Sequence, residues 1–368
     1  MAKVFDVCIR GDGIVGRTLA LLLARQRLRV ALVGRSPAGE TRQDVRAYAL
    51  NAASRQLLTQ LRAWPAEPQV TPVTRMQVWG DDGGQIDFTP PAAGGQAELA
   101  WLVDVPALEN ELAQALHFAP EVQWIEAAGQ AQAALTVVCE GSRSASRQEF
   151  GVQWALKPYA QKALAARLQS DQPHGGIARQ WFKSGEVLAL LPMGGAGGHA
   201  LALVWSVSLE RAAELEKLTP EAFTAELQRA AGPEVGQLSL TSEVSSWPLA
   251  LARAERWVGP GWALAGDAAH TVHPLAGQGL NLGLADVRVL AEVLQGREYW
   301  RSLGDEKLLR RYERARKADV LTMGTLTDGL QGLFAQTDAR WQALRNWGMT
   351  SVARSATLKT WLTRQAMG

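Results

Sequence analysis

Gly11-Asp12-Gly13-Ile14-Val15-Gly16 stands between a short apolar run, Val4–Ile9, and a leucine- and alanine-rich stretch, Ile14–Arg27. In a G-x-G-x-x-G placed this way the first glycine permits the tight turn. The second lets backbone approach a pyrophosphate, and the third lets the helix pack closely on the strand. The helix N-terminus adds unpaired N–H donors and a partial positive charge. Arg29–Val33 returns as a second apolar strand, so the chain opens with a βαβ unit. Gly11, Gly13 and Gly16 are therefore read as dinucleotide-binding residues.

The acidic residue expected ~20 residues further on, where it would bind the ribose hydroxyls, is missing. Gly34 stands there, followed by Arg35. A basic residue at that place suits the 2′-phosphate of NADP, and it equally suits an arginine solvated after a strand.

A second stretch weighs toward FAD. Gly266-Asp267-Ala268-Ala269-His270 ends a buried strand, Trp262–Ala265, and the loop His273-Pro274-Leu275-Ala276-Gly277-Gln278-Gly279 follows. It leads into a helix whose Leu280, Leu284, Val287, Ala291 and Leu294 share one face. An Asp at a strand's carboxyl end lies where open α/β sheets bind ligands, and it can accept hydrogen bonds from a polyol chain. The N–H groups of Gly277 and Gly279 can stabilise negative charge on a reduced flavin. A simple NADP dehydrogenase has no need of this second assembly.

At this point a family resemblance enters. Ala265–Asp286, with Gln278-Gly279-Leu280-Asn281-Leu282-Gly283-Leu284, resembles the flavin signature of class A aromatic hydroxylases, and among them the ubiquinone-biosynthesis hydroxylases. Asp44-Val45-Arg46-Ala47-Tyr48-Ala49-Leu50 resembles that family's arginine-bearing segment near the flavin pyrophosphate, and Gly141–Arg147 resembles its second motif. Met76–Trp79, Gly185–Met193, Trp247–Ala252 and the tail from Arg311 to Gly368 are similar to family stretches as well.

The resemblance implies FAD as cofactor, NAD(P)H as reductant and O2 as co-substrate. It implies hydroxylation of an electron-rich ring, such as a polyprenylated phenol, via a C4a-hydroperoxyflavin in a site that excludes water. It places Arg46, Gly266, Asp267, Gly277, Gly279, Leu280 and Asn281 at the cofactor and Pro274 on the reaction face. Peripheral membrane contact and a multi-enzyme assembly are also implied. Against the family pattern, Gly34 replaces the ribose acid and Glu140 stands where Asp is usual. Asp12 puts a carboxylate in the phosphate loop, Val105 replaces a polar residue, and the segment between Trp124 and Leu135 is short. These departures motivate a competing reading: a member with weakened FAD binding that acts as a lipid-binding or assembly component.

Composition sets the frame. A chain of 368 residues, 47% hydrophobic and 20% charged, is globular rather than disordered, and a net charge of +2 gives no reason to expect nucleic acid. Cys8 and Cys139 sit in apolar runs and form neither a disulfide framework nor a zinc site, which suits a reducing cytosol. His270 and His273 lack carboxylate or cysteine partners for a metal, and they read either as flavin neighbours or as histidines shaping their loop. No signal peptide is legible, and the apolar run Leu19–Ala24 is far short of a membrane span. From Arg340 to Gly368 there are basic residues, three tryptophans and no acid. Such a segment suits an anionic membrane surface on the cytoplasmic side, or an ordinary helix with its tryptophans packed inward.

The expected fold is α/β: a Rossmann-type FAD-binding domain with an inserted β-sheet substrate domain and a helical C-terminal region. The pieces expected are 1–70, 97–155 and 250–300 for FAD, 71–96 and 156–249 for substrate, and 301–368 for the helical region.

Overall fold

The first apolar run forms a strand, Lys3–Arg10, in the middle of a six-stranded sheet. Val30–Val33 pairs with it on one side and Ala131–Val138 on the other, both parallel. Val122–Ile125 and Trp262–Leu264 extend the parallel set outward. Parallel strands covered on both faces carry continuous apolar runs, and here Val7, Ile9, Val30, Leu32, Leu135 and Val137 are fully buried. The computed structural model describes residues 3–34, 44–80, 84–90, 97–272 and 278–335, with side chains described as far as 321.

Three helices pack around this sheet: Ile14–Arg25, Val105–His117 and Gln278–Gln295. The Val105 helix starts where sequence says it should, because Asp104 accepts from Ala107 N and Pro106 sits in the first turn. Val105 is buried in the apolar core, not at a polar site. Within Asp44–Leu61 a strand, Ala47–Leu50, is followed by a helix, Ala52–Gln60, whose N-cap is Asn51.

A second, nine-stranded sheet is built around the long strand Trp154–Ser170, which pairs antiparallel with Ala200–Ser208 and Ser245–Ala254. Glu186–Met193, Ile177–Lys183, Arg75–Trp79 and Gln85–Phe88 continue it. Strand alternation gives the sheet two faces. Leu188, Trp205 and Val207 pack under the helix Pro220–Ala231, while Val187, Val204 and Ser206 line a cavity. The stretch Leu209–Ala231 forms two helices, Leu209–Leu215 and Pro220–Ala231, because Pro220 has no N–H to continue the ladder and Thr219 caps the second helix. The expected division at residue 250 falls inside the strand Ser245–Ala254, which belongs to this sheet.

A three-stranded sheet, Ala47–Leu50, Ala100–Asp104 and Val70–Val73, lies beside the other two. The helix Glu306–Ala335 closes the described chain. Buried Tyr312 donates to Leu264 O at 2.8 Å, and Glu313 accepts from Trp257 N, so this helix holds the strand that leads into Asp267. The basic, tryptophan-bearing tail lies outside the described residues.

Candidate active site

Three chain segments leave the carboxyl ends of neighbouring parallel strands at Gly11, Glu140 and Gly266, which is where open α/β sheets bind ligands. A cavity of about 1680 Å³ starts there and runs to the inner face of the large sheet. Drug-sized ligands occupy roughly 300–1,000 Å³, so this space accommodates a dinucleotide together with a second molecule. Gly11, Gly13, Glu140 and Arg143 line the first part, and Arg46, Tyr48, Asp267, Gly279, Leu280 and Asn281 the middle. The far part is apolar, with Val73, Phe88, Phe182, Leu191, Trp247 and Pro248 on its walls.

The glycines divide their work as the motif requires. Gly11 has φ +111°, and a Cβ there would meet Cys139 O at 2.4 Å. At Gly16 a Cβ would meet Gly11 O at 2.0 Å, so the helix sits on the strand only without one. At Gly13 and Gly279 a Cβ would meet nothing within 4 Å, so both backbones are open toward the cavity. These are two N–H-bearing platforms facing one space, a cradle that fits a pyrophosphate at one end and an electron-rich ring at the other. The residues present therefore fit FAD.

Asp267 is exposed and lines the cavity. Burial among protein atoms raises its pKa, opposed by His270 and Arg46. Its loop is held from behind by Asp286, which is fully buried and accepts from Gly266 N at 3.0 Å, His270 Nε2 at 2.7 Å and Arg316 Nε at 2.8 Å. Burial pushes the Asp286 carboxyl up, but the His270 and Arg316 contacts outweigh it and hold the pKa below the usual range. An ionised carboxylate only accepts, so His270 carries its proton on Nε2 toward Asp286. His270 thus shapes the loop and stacks on Trp257 rather than lining the cavity. Buried Arg147 ties the Ser142 and Ala268 carbonyls together and lies 3.7 Å from the Trp154 ring.

Arg46 is on the cavity wall with its guanidinium paired to Asp44, which raises its pKa. Asn281 acts as a clamp: its Oδ1 accepts from Asn51 N and Ser54 Oγ, and its Nδ2 donates to Ala49 O. Glu140 accepts from Ser144 Oγ, Ser146 Oγ and Ser146 N. Burial raises its pKa, but these three donors together bring it below the ordinary value. Both cysteines are buried, and burial pushes their thiols up, so neither is poised to react.

The structure brings Gly11, Gly13, Arg46, Asp267, Gly279, Leu280 and Asn281 to one cavity, with Gly16 and Gly266 directly behind its wall. Pro274 and Gly277, like Arg35 and His273, lie outside the described residues. Sequence reading missed Asp286 and Arg316, whose only signal was a charge on the buried face of each helix. It also missed the apolar wall, since Phe182 and Trp247 alternate like any half-buried strand.

A profile of the FAD binding domain matches residues 118–323, more than half of the chain. Across its full length the chain is 33% identical to "Ubiquinone hydroxylase UbiL" of Rhodospirillum rubrum, covering 90% of that protein. It is 30% identical to the 3-demethoxyubiquinol 3-hydroxylase of Escherichia coli, over 99% of this chain and 98% of that protein. The structure of PqsL, a probable FAD-dependent monooxygenase from Pseudomonas aeruginosa, shares the fold with a TM-score of 0.77 at 20% identity, over 94% of this chain and 100% of that one.

Proposed function

Because the chain belongs to the FAD-dependent ubiquinone-biosynthesis hydroxylase family, we propose that it inserts one oxygen atom of O2 into the ring of a polyprenylated phenol, with NAD(P)H as reductant. It is a flavin-dependent aromatic hydroxylase. The observation that carries the substrate reading is the single cavity, which joins two glycine platforms to an apolar wall broad enough for a ring and the start of an apolar tail.

Bound FAD supplies the acceptance of hydride and the activation of oxygen. In this reading Gly11, Gly13 and Gly16 shape the pyrophosphate cradle and Arg46 adds a cation to it. Asp267, with Gly266 fixing its turn, accepts from the polyol chain. Gly277, Gly279 and Leu280 would hold the ring system, and Asn281 clamps the helix start. Pro274 is the proposed residue on the reaction face. Phe182, Leu191, Trp247 and Pro248 hold the aromatic substrate and keep water from the reacting atoms.

The reading of a member with weakened FAD binding is not favoured. Its full-length relatives are named hydroxylases, and Glu140 is absorbed into its own turn by Ser144 and Ser146. Among the described residues no helix is long and apolar enough to cross a membrane. The basic tail supports a peripheral contact with an anionic membrane on the cytoplasmic side, and with it access to a lipid-borne substrate and to an assembly of pathway enzymes. The test is direct: purified protein should carry flavin absorbance, oxidise NAD(P)H faster with a polyprenyl phenol, and yield a product heavier by one oxygen atom. A protein that stays colourless in excess FAD sinks the reading. Removing residues 340–368 should reduce pelleting with anionic liposomes, and unchanged pelleting removes the tail from the account.

A further inference from the structure

Two of the departures from the dinucleotide-binding pattern meet in space. Gly34 follows the strand Val30–Val33, where a carboxylate is expected to hold the ribose hydroxyls. A Cβ built on Gly34 would lie 2.4 Å from Cβ, Cγ and Oδ2 of Asp12. The Asp12 side chain therefore occupies the volume that a side chain at 34 would enter. The backbone is tied down on both sides of the contact. Gly11 N donates to Val33 O and Gly34 N to Ile125 O, and Arg17, itself buried, donates through Nε to Asp12 O at 2.6 Å. Asp12 also lines the cavity.

We propose that Asp12 is the ribose-binding carboxylate of this chain: the acid has moved from the end of the second strand into the phosphate loop, and Gly34 is the space it requires. A carboxylate at this place accepts from the adenosine ribose hydroxyls, as one at 34 would have done. The two substitutions are then one change: Asp12 supplies the carboxylate and Gly34 the space for it. The inference rests on the reading of the cavity as an FAD site, and it reverses the expectation that the loop carboxylate at Asp12 weakens FAD binding.

The experiment measures binding of FAD and of FMN, which lacks the adenosine ribose, to apoprotein by quenching of flavin fluorescence. The variants are Asp12→Gly, Gly34→Glu and the double variant, with circular dichroism to follow folding. Hydrogen bonds to a charged group are strong enough that Asp12→Gly should weaken FAD binding about tenfold to a hundredfold while leaving FMN binding within about threefold. Gly34→Glu should also weaken FAD binding, through the clash with Asp12. The double variant should return to within about threefold of the wild type. Unchanged or tighter FAD binding by Asp12→Gly overturns the proposal, and so does a double variant no better than the worse single one. A wild-type apoprotein that binds neither flavin overturns the FAD reading itself, and is distinguishable because it precedes any variant.

Discussion

Replacing Arg316 by Met tests how the Asp267 loop is held in place. Arg316 is 3% exposed and Asp286 0%, and their side chains meet at 2.8 Å. With the guanidinium gone, a carboxylate remains in the core with only Gly266 N and His270 as donors. Breaking one side of such a buried pair costs about 3–5 kcal/mol, a large share of a total stability of roughly 5–15 kcal/mol. Asp286→Leu should cost a similar amount, since Arg316 then keeps only Asp319, 65% exposed, and a long contact to Leu282 O. The double variant removes both charges and leaves the Gly266 and His270 N–H groups without an acceptor, at about 1–3 kcal/mol each. Its loss of about 2–6 kcal/mol should fall well below the sum of the singles, about 6–10 kcal/mol. Urea unfolding followed by tryptophan fluorescence, at one fixed saturating FAD concentration, reads these differences. Arg288→Ala is the control: its pair with Glu292 is 44% and 58% exposed and should be worth only about 0.3–0.5 kcal/mol. If Arg316→Met costs no more than this control, or if the double variant equals the sum to within about 1 kcal/mol, the buried pair does not hold the loop.

Asp267→Ala should lower bound flavin about tenfold, seen as visible absorbance per protein, because it removes an acceptor facing the cavity; unchanged content would show the motif misread. Gly13→Ala should leave apoprotein stability within about 0.5 kcal/mol, since its methyl meets no protein atom, yet abolish tight FAD binding. Gly16→Ala, whose methyl would press on Gly11 O, should cost about 1–3 kcal/mol in the same unfolding assay. Glu140 and Asp286 both have depressed folded pKa values. Their stabilisation is therefore present above the unfolded values near ~4 and lost as pH falls through the folded ones. Stability should decline on the acid side of pH ~4, and Glu140→Gln should flatten that decline; an identical slope would remove Glu140 from the account.

The line between what was legible and what was not follows the range of the interactions. Gly11–Gly16, the buried runs around it and the capped helix after Asp104 are local: a turn, a period or a cap is set by neighbours within a few residues. Those signals by themselves determined a nucleotide-binding α/β chain, and Ala265–Asp286 carried the family resemblance. A single residue can also break a local period, as Pro220 does between the helices Leu209–Leu215 and Pro220–Ala231.

Tertiary structure alone decided which distant residues meet. Asp286 binds Gly266 across 20 positions, Asn281 clamps Ala49 across 232, and Arg147 reaches Ala268 across 121. Gly34 and Asp12 looked like two separate defects in the sequence, and only the packing of one loop against the next strand shows that they share one volume. A sequence records each side chain; whether two of them compete for the same space depends on how parallel strands from distant segments are laid side by side.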